Sequence, residues 1–193
     1  MNSSGSRSSH QRATLRAVLH PLVQSWFTSR FTHATDVQVR AWPVIARGEH
    51  CLIAAPTGSG KTLAAFLACL DRLVRADDEG RLEDRIEVVY ISPLKALSND
   101  VQKNLDVPIA EMADLARASG RAAPRVRTAV RTGDTSPKER RLLVKQPPHV
   151  LVTTPESLFI LLGSASGRRA LSDVRTIIVD EIHAVSSDKR GAH

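Results

Sequence analysis

The sequence predicts an α/β fold in which a mostly parallel sheet carries helices on both faces. Five short apolar runs typical of buried strands alternate with segments whose apolar residues recur at helical spacing. A loop of small residues joins the first run to a helix in the pattern of a phosphate-binding loop. Polar and small residues follow all five runs, and ligands bind outside the carboxyl ends of the strands in such a sheet.

The amino-terminal residues and the composition set the limits of the domain. Residues 1–9 are rich in serine without periodicity, so we expect a disordered tail ahead of one domain over residues 10–193. No signal peptide is visible, and the longest apolar run, 63–70, is too short to cross a bilayer. Cys51 and Cys69 lie on apolar segments, and we expect both to be buried thiols in a reducing cytoplasm.

Two helices are predicted before the loop. Apolar residues recur at helical spacing over 12–27, where Pro21 predicts a kink or a break. Thr35 is a good N-cap for the second helix. Pro43 predicts a bend or an interruption within it, and Gly48 is well placed to end it.

The phosphate-loop pattern runs over residues 54–62, Ala-Ala-Pro-Thr-Gly-Ser-Gly-Lys-Thr, after the apolar run 51–55. Ala55 stands where the usual pattern begins with glycine. Glycines let backbone N–H groups approach phosphate oxygens, and the helix that follows adds the positive end of its dipole. The lysine supplies a positive charge to the outer phosphates, and the threonine hydroxyl can ligate Mg2+. The alternative is a loop that only connects a strand to a helix. The predicted ATP-binding residues here are Thr57, Gly58, Ser59, Gly60, Lys61 and Thr62.

The remaining strands and helices continue the alternation. Helices are predicted to begin near Pro93, at Ser136-Pro137 and near Thr154, since hydroxyl residues and proline favour the start of a helix. The predicted strands after the first are residues 86–91, 126–130, 149–153 and 174–179.

Two carboxylates, Asp180 and Glu181, follow the last apolar run. A carboxylate at the end of a buried strand can hold the water shell of Mg2+, and we assign this role to Asp180 together with Thr62. Glu181 can orient or deprotonate the attacking water. With Lys61 these carboxylates form the predicted catalytic set. The alternative is an ordinary acidic turn at the end of a strand.

One side-chain amide, that of Gln38, precedes Lys61 by 23 residues. An amide both donates and accepts hydrogen bonds, so it can read the two-sided edge of an adenine. A glutamine on a helix is usually just a surface residue, and only the phosphate loop downstream favours the adenine interpretation.

The net charge of +7 is concentrated in one segment. Residues 117–145 contain nine lysines and arginines against Asp134 and Glu139, a balance of +7, so the remainder of the chain is neutral. This segment is a candidate contact for a polyanion. The alternative is a solvated face of an arginine-rich protein.

The phosphate loop together with Asp-Glu-Ile-His at 180–183 resembles the superfamily 2 DExH-box helicases, and within them the large helicase-related (Lhr) family. The resemblance covers roughly residues 25–193. Phe31 with Thr35-x-x-Gln38 looks like the Q motif, which recognises adenine, with Ala34 in place of its usual proline. Three further segments look like motifs Ia, Ib and Ic, which line the nucleic-acid track in the family: residues 92–97, 132–134 and 153–157.

The resemblance implies a RecA-like fold and an ATP-dependent motor on single-stranded DNA or RNA, with unwinding of DNA or RNA–DNA duplexes. It implies that ATP and Mg2+ are the cofactors, that Phe31 and Gln38 contact the adenine, and that His183 couples the ATP state to nucleic acid. It implies nucleic-acid contacts at Pro93, Lys95, Gly133, Asp134, Thr153, Thr154 and Pro155.

The family pattern continues with a second RecA-like domain that contributes arginines to the ATP site. We therefore expect this chain to be a fragment, the first of two motor domains, which is nearly inactive alone and has the second domain as a partner. One alternative is a nucleic-acid or protein interaction fragment that hydrolyses nothing. Another is a phosphate-loop NTPase unrelated to helicases, against which Gln38 and the pair Thr153-Thr154 argue.

Overall fold

The computed structural model describes residues 18–56, 58–93 and 95–182, with nothing to be said of the side chains of 95–104. The predicted tail, Thr57 and His183 lie outside the described residues. The chain divides into two compact units, which are described separately. Among the described residues, unit 1 comprises 18–81 and 108–125, and unit 2 comprises 82–107 and 126–182. In this part of the chain no helix has both the length and the apolar character needed to cross a membrane.

Unit 1 is helical in all its described elements. Trp42 and Phe27 meet edge to face in its core, with ring centroids 5.3 Å apart, and the Trp42 indole N–H donates to the Ala64 carbonyl at 3.1 Å. Burial of such large aromatic rings stabilises the packing of one helix on the next. The helices are α1 (Pro21–Arg30), α2 (Asp36–Ala46), α3 (Lys61–Asp78) and the second half of α4 (Lys95–Ala118).

The helix boundaries in unit 1 follow the predicted signals with one exception. Pro21 is the first residue of α1, so the predicted break is confirmed. Thr35 caps α2 as expected, and Gly48, with φ +74°, follows its end. Of the bend or interruption predicted at Pro43, the interruption does not occur, because α2 continues to Ala46. The adjacent Trp42 is buried, and tertiary packing of this kind offsets the cost of a missing N–H.

Unit 2 is built on a parallel sheet whose described strands have the order β2-β3-β1-β4. All residues of β1 and β3 are buried, so these strands form the centre, and Val89 pairs with Leu151 on one side and Ile177 on the other. Ile177, on the edge strand, is 62% exposed. The strands are β1 (Val88–Ile91), β2 (Thr128–Arg131), β3 (Val150–Thr153) and β4 (Thr176–Val179).

One face of this sheet packs against helix α6. Val89 and Leu151 of the sheet form a buried cluster with Leu161 of that helix. Helix α7 then approaches α6 so closely that a Cβ atom at Gly167 would lie 2.1 Å from the Leu161 carbonyl oxygen. The helices described in unit 2 besides the first half of α4 are α5 (Pro137–Lys145), α6 (Pro155–Gly163) and α7 (Ala165–Ala170).

The strand predicted over residues 51–55 is wrong. No strand forms there, and Leu52 is 79% exposed. An apolar run becomes a strand only against a partner with free backbone groups, and the described elements of unit 1 are all helices. The expectation of two buried thiols is correspondingly half wrong, since Cys51 is exposed. Cys69 is buried, and burial raises the pKa of its thiol to about 11.

Candidate nucleotide and nucleic-acid sites

The phosphate loop leads directly into α3, within unit 1. Gly58 and Gly60 have φ values of +80° and +85°, a left-handed conformation that glycine adopts without a steric penalty. Gly60 is the N-cap of α3 and offers no side-chain acceptor to the first N–H groups of the helix. An uncapped helix N-terminus preceded by a glycine turn is an arrangement suited to binding a phosphate.

Two side chains of the loop have polar groups that a phosphate would use. The Lys61 ammonium donates to the Ala55 carbonyl and, at 3.0 Å, to the Pro56 carbonyl, so it lies across the loop. The Ser59 hydroxyl is buried and has no hydrogen-bond partner within the described part of the chain. A buried hydroxyl without a partner is costly, and a ligand oxygen would satisfy it. Thr62, the second residue of α3, is half-buried beside them.

Gln38 lies against the phosphate loop and is not a surface residue. It is 3% exposed, and its Oε1 atom accepts from the Thr35 backbone N–H at 3.0 Å, which completes a capping box at the start of α2. Its Nε2 atom contacts the Gly60 carbonyl oxygen at 3.5 Å. An amide group can make further hydrogen bonds beyond these two, so Gln38 keeps donor and acceptor capacity.

Phe31 follows α1 in the same unit. Its ring packs on Phe27 with centroids 4.9 Å apart and meets Trp26 edge-on at 6.0 Å. The residue nevertheless remains 40% exposed. A ring anchored on one side and exposed on the other can stack on a base, which is the role that the resemblance implies.

The two predicted carboxylates follow β4, in unit 2. The Asp180 N–H donates to the Ile91 carbonyl at 3.0 Å and extends the β1–β4 pairing by one residue. Asp180 Oδ1 accepts from the Glu181 N–H at 2.9 Å, and Oδ2 accepts from the Tyr90 hydroxyl. Glu181 is exposed and has φ +50°, an uncommon conformation for any residue other than glycine.

Both residues assigned to Mg2+ are oxygen donors of the type that this ion prefers. Mg2+ usually keeps several waters and takes one or two protein ligands besides the phosphates. No group of three or more His, Cys, Asp or Glu side chains that could hold a metal occurs among the described residues. The hydroxyl of Thr62, in unit 1, and the carboxylate of Asp180, in unit 2, are each an oxygen ligand of the type that Mg2+ takes.

The threonines predicted to contact nucleic acid serve the fold in this structure. The Thr153 hydroxyl donates to the Arg131 carbonyl at 2.7 Å, and the Thr154 hydroxyl accepts from the Ser157 N–H at 3.4 Å as the N-cap of α6. Both threonines are buried. Of the other predicted contacts near them, Pro155 opens α6, Pro93 is buried, and Lys95 opens α4 with its side chain outside the described residues.

The loop that follows β2 is held in place by an arginine from α5. Arg140 donates through Nε to the Thr135 carbonyl at 2.9 Å and through Nη2 to the Gly133 carbonyl at 3.1 Å. The Thr132 N–H donates to the Thr135 hydroxyl at 2.9 Å. Gly133 and Asp134 are exposed at the tip of this fixed turn, so a ligand can approach them.

Arg131 is a candidate site residue that the sequence analysis did not single out. It ends β2, is half-buried, and has no ion-pair partner among the described residues. Burial and then the charge of Arg140 lower its pKa from the usual arginine value. A partly buried cation next to a second cation favours an anion beside it. The signal in the sequence that could have indicated Arg131 is its position directly before Thr132-Gly-Asp134, the segment that looks like motif Ib.

Four of the nine cations of the basic segment are already paired with acids. This pairing removes them from the charge that a polyanion would meet, and it narrows the predicted contact to the cations of residues 131–145. The pairs are Arg117 with Asp114 at 2.6 Å, Arg121 with Asp78 at 2.6 Å, Arg125 with Asp77 at 2.7 Å, and Arg127 with Asp84 at 2.7 Å.

Comparison with known sequences shows that the chain is similar to helicases. A family model described as DEAD/DEAH box helicase matches residues 35–193. The chain is 49% identical over 179 residues to the ATP-dependent helicase Lhr-Core of Methanothermobacter thermautotrophicus, a match that covers 93% of this chain and 21% of that protein. It is 50% identical over 172 residues to the Lhr helicase/probable uracil glycosylase of Mycolicibacterium smegmatis, covering 89% of this chain and 11% of that protein.

Solved structures agree with this comparison. The helicase Lhr of Mycobacterium smegmatis bound to ssDNA and AMP-PNP matches with a TM-score of 0.84 and 47% identity, over 93% of this chain and 22% of that one. The DUF1998 helicase MrfA bound to DNA and AMPPNP matches with a TM-score of 0.71 and 26% identity, over 87% of this chain and 22% of that one. The chain thus spans about a fifth or less of the length of these proteins, and its predicted fold class is confirmed.

Proposed function

Since this chain belongs to the DEAD/DEAH box helicase family, we propose that it is the ATP-binding motor domain of an ATP-dependent helicase or translocase acting on DNA or RNA–DNA. Relatives that cover most of the chain are named ATP-dependent helicases. Two similar structures hold DNA together with AMP-PNP. These likenesses support the substrate class, while the residues of the chain support the roles described next.

The observation that carries the proposal is the geometry of the phosphate loop. Gly60 leaves the N-terminus of α3 uncapped, Lys61 lies across the loop, and the Ser59 hydroxyl is buried without a partner in the described residues. An anion in the loop would give acceptors to the first N–H groups of the helix and to the buried hydroxyl, and it would lie beside the charge of Lys61. A plain connecting loop has no reason to keep all three.

The triphosphate of ATP would lie on the first N–H groups of α3, with Lys61 exchanging the Pro56 carbonyl for phosphate oxygens. Mg2+ would supply positive charge to the phosphates. Thr62 of unit 1 and Asp180 of unit 2 are each proposed as an oxygen ligand of the ion. Glu181 would orient the attacking water and accept its proton, because its exposed carboxylate adjoins Asp180. Phe31 and Gln38 would receive the adenine.

Nucleic acid would contact the loops at the carboxyl ends of the strands in unit 2. Gly133 and Asp134 are exposed on a turn that Arg140 fixes, and Arg131 supplies a cation without an acid partner in the described residues. Backbone phosphates are the anions that such a turn recognises. A second RecA-like domain would complete the motor, as the greater length of the relatives suggests.

Replacing Lys61 with alanine tests the phosphate loop. A hydrogen bond to a charged group contributes about 1.5–3 kcal/mol, so we expect Lys61→Ala to weaken ATP·Mg2+ binding about tenfold or more. Calorimetric titration measures it. Lys145→Ala, at the exposed end of α5, is the matched control and should bind as the unaltered chain does. Equal affinities for all three proteins would remove the phosphate-loop assignment.

Competition among nucleotides tests the adenine contact. Because Gln38 lies against the loop with unused donor and acceptor capacity, we expect ATP to displace a fluorescent ATP analogue at lower concentration than GTP or CTP. Gln38→Glu removes the donor and should reduce this preference. Indifference of the unaltered chain among the three nucleotides would take Gln38 out of the adenine site.

A further inference from the structure

Tyr90 and Asp180 lie on the same face of the sheet in unit 2. Tyr90 is in the central strand β1 and pairs with Ile178 of β4. Asp180 is two residues beyond Ile178, and the Asp180 N–H bond to the Ile91 carbonyl keeps it in register. Side chains alternate between faces along a strand, so Asp180 is the diagonal neighbour of Tyr90, within reach of an aromatic side chain.

The hydroxyl of Tyr90 donates to Oδ2 of Asp180, while the Glu181 N–H donates to Oδ1 at 2.9 Å. Each carboxylate oxygen therefore has its own donor, and the side chain of Asp180 is held from two sides. The Tyr90 residue itself is fully buried, so it cannot swing away into solvent. Two fixed donors restrict the carboxylate to one orientation.

We propose that Tyr90 is a positioning residue for Asp180. The Tyr90 hydroxyl holds the Asp180 carboxylate in the orientation that receives the water shell of Mg2+. The inference rests on the proposed role of Asp180 in nucleotide binding. The physical reason is that a carboxylate already held in one orientation loses less conformational entropy when the ion binds. The remaining lone pairs of both oxygens stay available, since a carboxylate offers about four acceptor positions.

Tyr90→Phe removes only the hydroxyl and tests the inference through the requirement for Mg2+. A single hydrogen bond accounts for roughly two- to tenfold in an equilibrium constant. We expect the Mg2+ concentration that gives half-maximal binding of a fluorescent ATP analogue to rise by about that factor, with binding in the presence of a chelator unchanged. An unchanged Mg2+ requirement would overturn the inference.

Thr128→Val is the matched control in the same sheet. Thr128 also donates a hydroxyl hydrogen bond to a carboxylate, that of Asp106, but on the far edge strand β2. Its loss should leave the Mg2+ requirement unaltered. If Thr128→Val raises the requirement as much as Tyr90→Phe does, the effect is general loosening of the sheet and the positioning role is wrong.

The chain contains one tyrosine, so its spectrum reports on this contact without any change at residue 90. With 13C at the tyrosine Cζ atom, we expect one NMR signal that shifts on Asp180→Asn and on addition of Mg2+ with ATP. Asp106→Asn should leave it in place. A signal that ignores Asp180→Asn would overturn the inference.

The failure of this inference can be told from failure of the proposed function. If Lys61→Ala weakens nucleotide binding and Asp180→Ala raises the Mg2+ requirement while Tyr90→Phe leaves it unchanged, only the positioning role is wrong. If Lys61→Ala and Asp180→Ala are both silent, the nucleotide site itself is wrong and the inference falls with it.

Discussion

Gly60 is the residue on which the nucleotide half of the site depends most closely. Its φ of +85° is strained for any side chain, and a Cβ atom there would lie 2.6 Å from the Gln38 amide nitrogen. The same position therefore carries two constraints: the turn of the phosphate loop and the close approach of the glutamine. The two predicted ligand-binding groups of unit 1 are mechanically linked through this one residue.

Gly60→Ala measures that link. The left-handed conformation alone costs an ordinary residue about 1–2 kcal/mol. Gly48→Ala, at φ +74° with no atom within 4 Å of the added Cβ, should cost only this amount. We expect Gly60→Ala to lower the free energy of unfolding by more, and to weaken nucleotide binding as well, in urea denaturation and calorimetric titration. Equal losses of stability would mean that Gln38 moves away freely.

At the scale of elements, strand β2, helix α5 and the turn between them form the proposed contact for a phosphate anion. Arg140 of α5 is occupied with the carbonyls of Gly133 and Thr135, so its role is to shape the turn. Arg131 at the end of β2 is a half-buried cation without an acid partner in the described residues, so its charge is open to a ligand. Charge reversal at Arg140 would therefore mainly disorder the turn.

Arg131→Gln should weaken binding of single-stranded DNA about tenfold, since a charge-assisted hydrogen bond is lost. It should also reduce the slope of log K against log salt by about 0.7, the value for one phosphate contact on a single strand. Arg117→Gln, whose guanidinium is paired with Asp114, is the control and should change neither quantity. Fluorescence anisotropy at several salt concentrations measures both. An unchanged slope for Arg131→Gln would make Arg131 a structural residue.

Features that neighbouring residues determine could be predicted from the sequence. The caps at Thr35 and Ser136 and the glycine turns were predictable because neighbouring residues decide them. The resemblance to Lhr helicases, read from short motifs, is also confirmed. The apolar run at 51–55 misled because a strand requires a partner that the sequence does not display.

Contacts between segments that are distant in the sequence could not be predicted from it. Tyr90 meets Asp180 across 90 positions of sequence, and only the strand register brings them together. Arg121 and Arg127 are neutralised by Asp78 and Asp84, each 43 positions away, so a count of charges overstated the basic segment. Register and ion pairing both follow from the order of strands and the packing of helices, which spacing along the chain does not determine.

For the whole molecule, we expect this chain alone to be nearly inactive as an ATPase. Phosphoryl transfer depends on charge placed around the transferring group, and an arginine supplied from a facing domain is worth about 10³ to 10⁵ in rate. Turnover should fall far below the roughly 1–10³ s⁻¹ of ordinary enzymes, without stimulation by single-stranded DNA. Steady-state phosphate release measures this.

A second RecA-like domain added in trans should raise that rate. The control is Glu181→Gln, which should stay inactive with or without the added domain. Strong DNA-stimulated hydrolysis by this chain alone, abolished by Glu181→Gln, would contradict the view that the chain is half of a motor.

The backbone at Glu181 carries one further implication. A φ of +50° is a conformation that glycine would occupy at lower free energy, by about 1–2 kcal/mol. Stability and the proposed chemistry therefore favour different residues at this position. Glycine would lower the free energy of the backbone, but it has no carboxylate for the role proposed for Glu181. A screen of random variants for heat tolerance alone should accept glycine at 181, and every such survivor would lack the carboxylate that we propose for activating water.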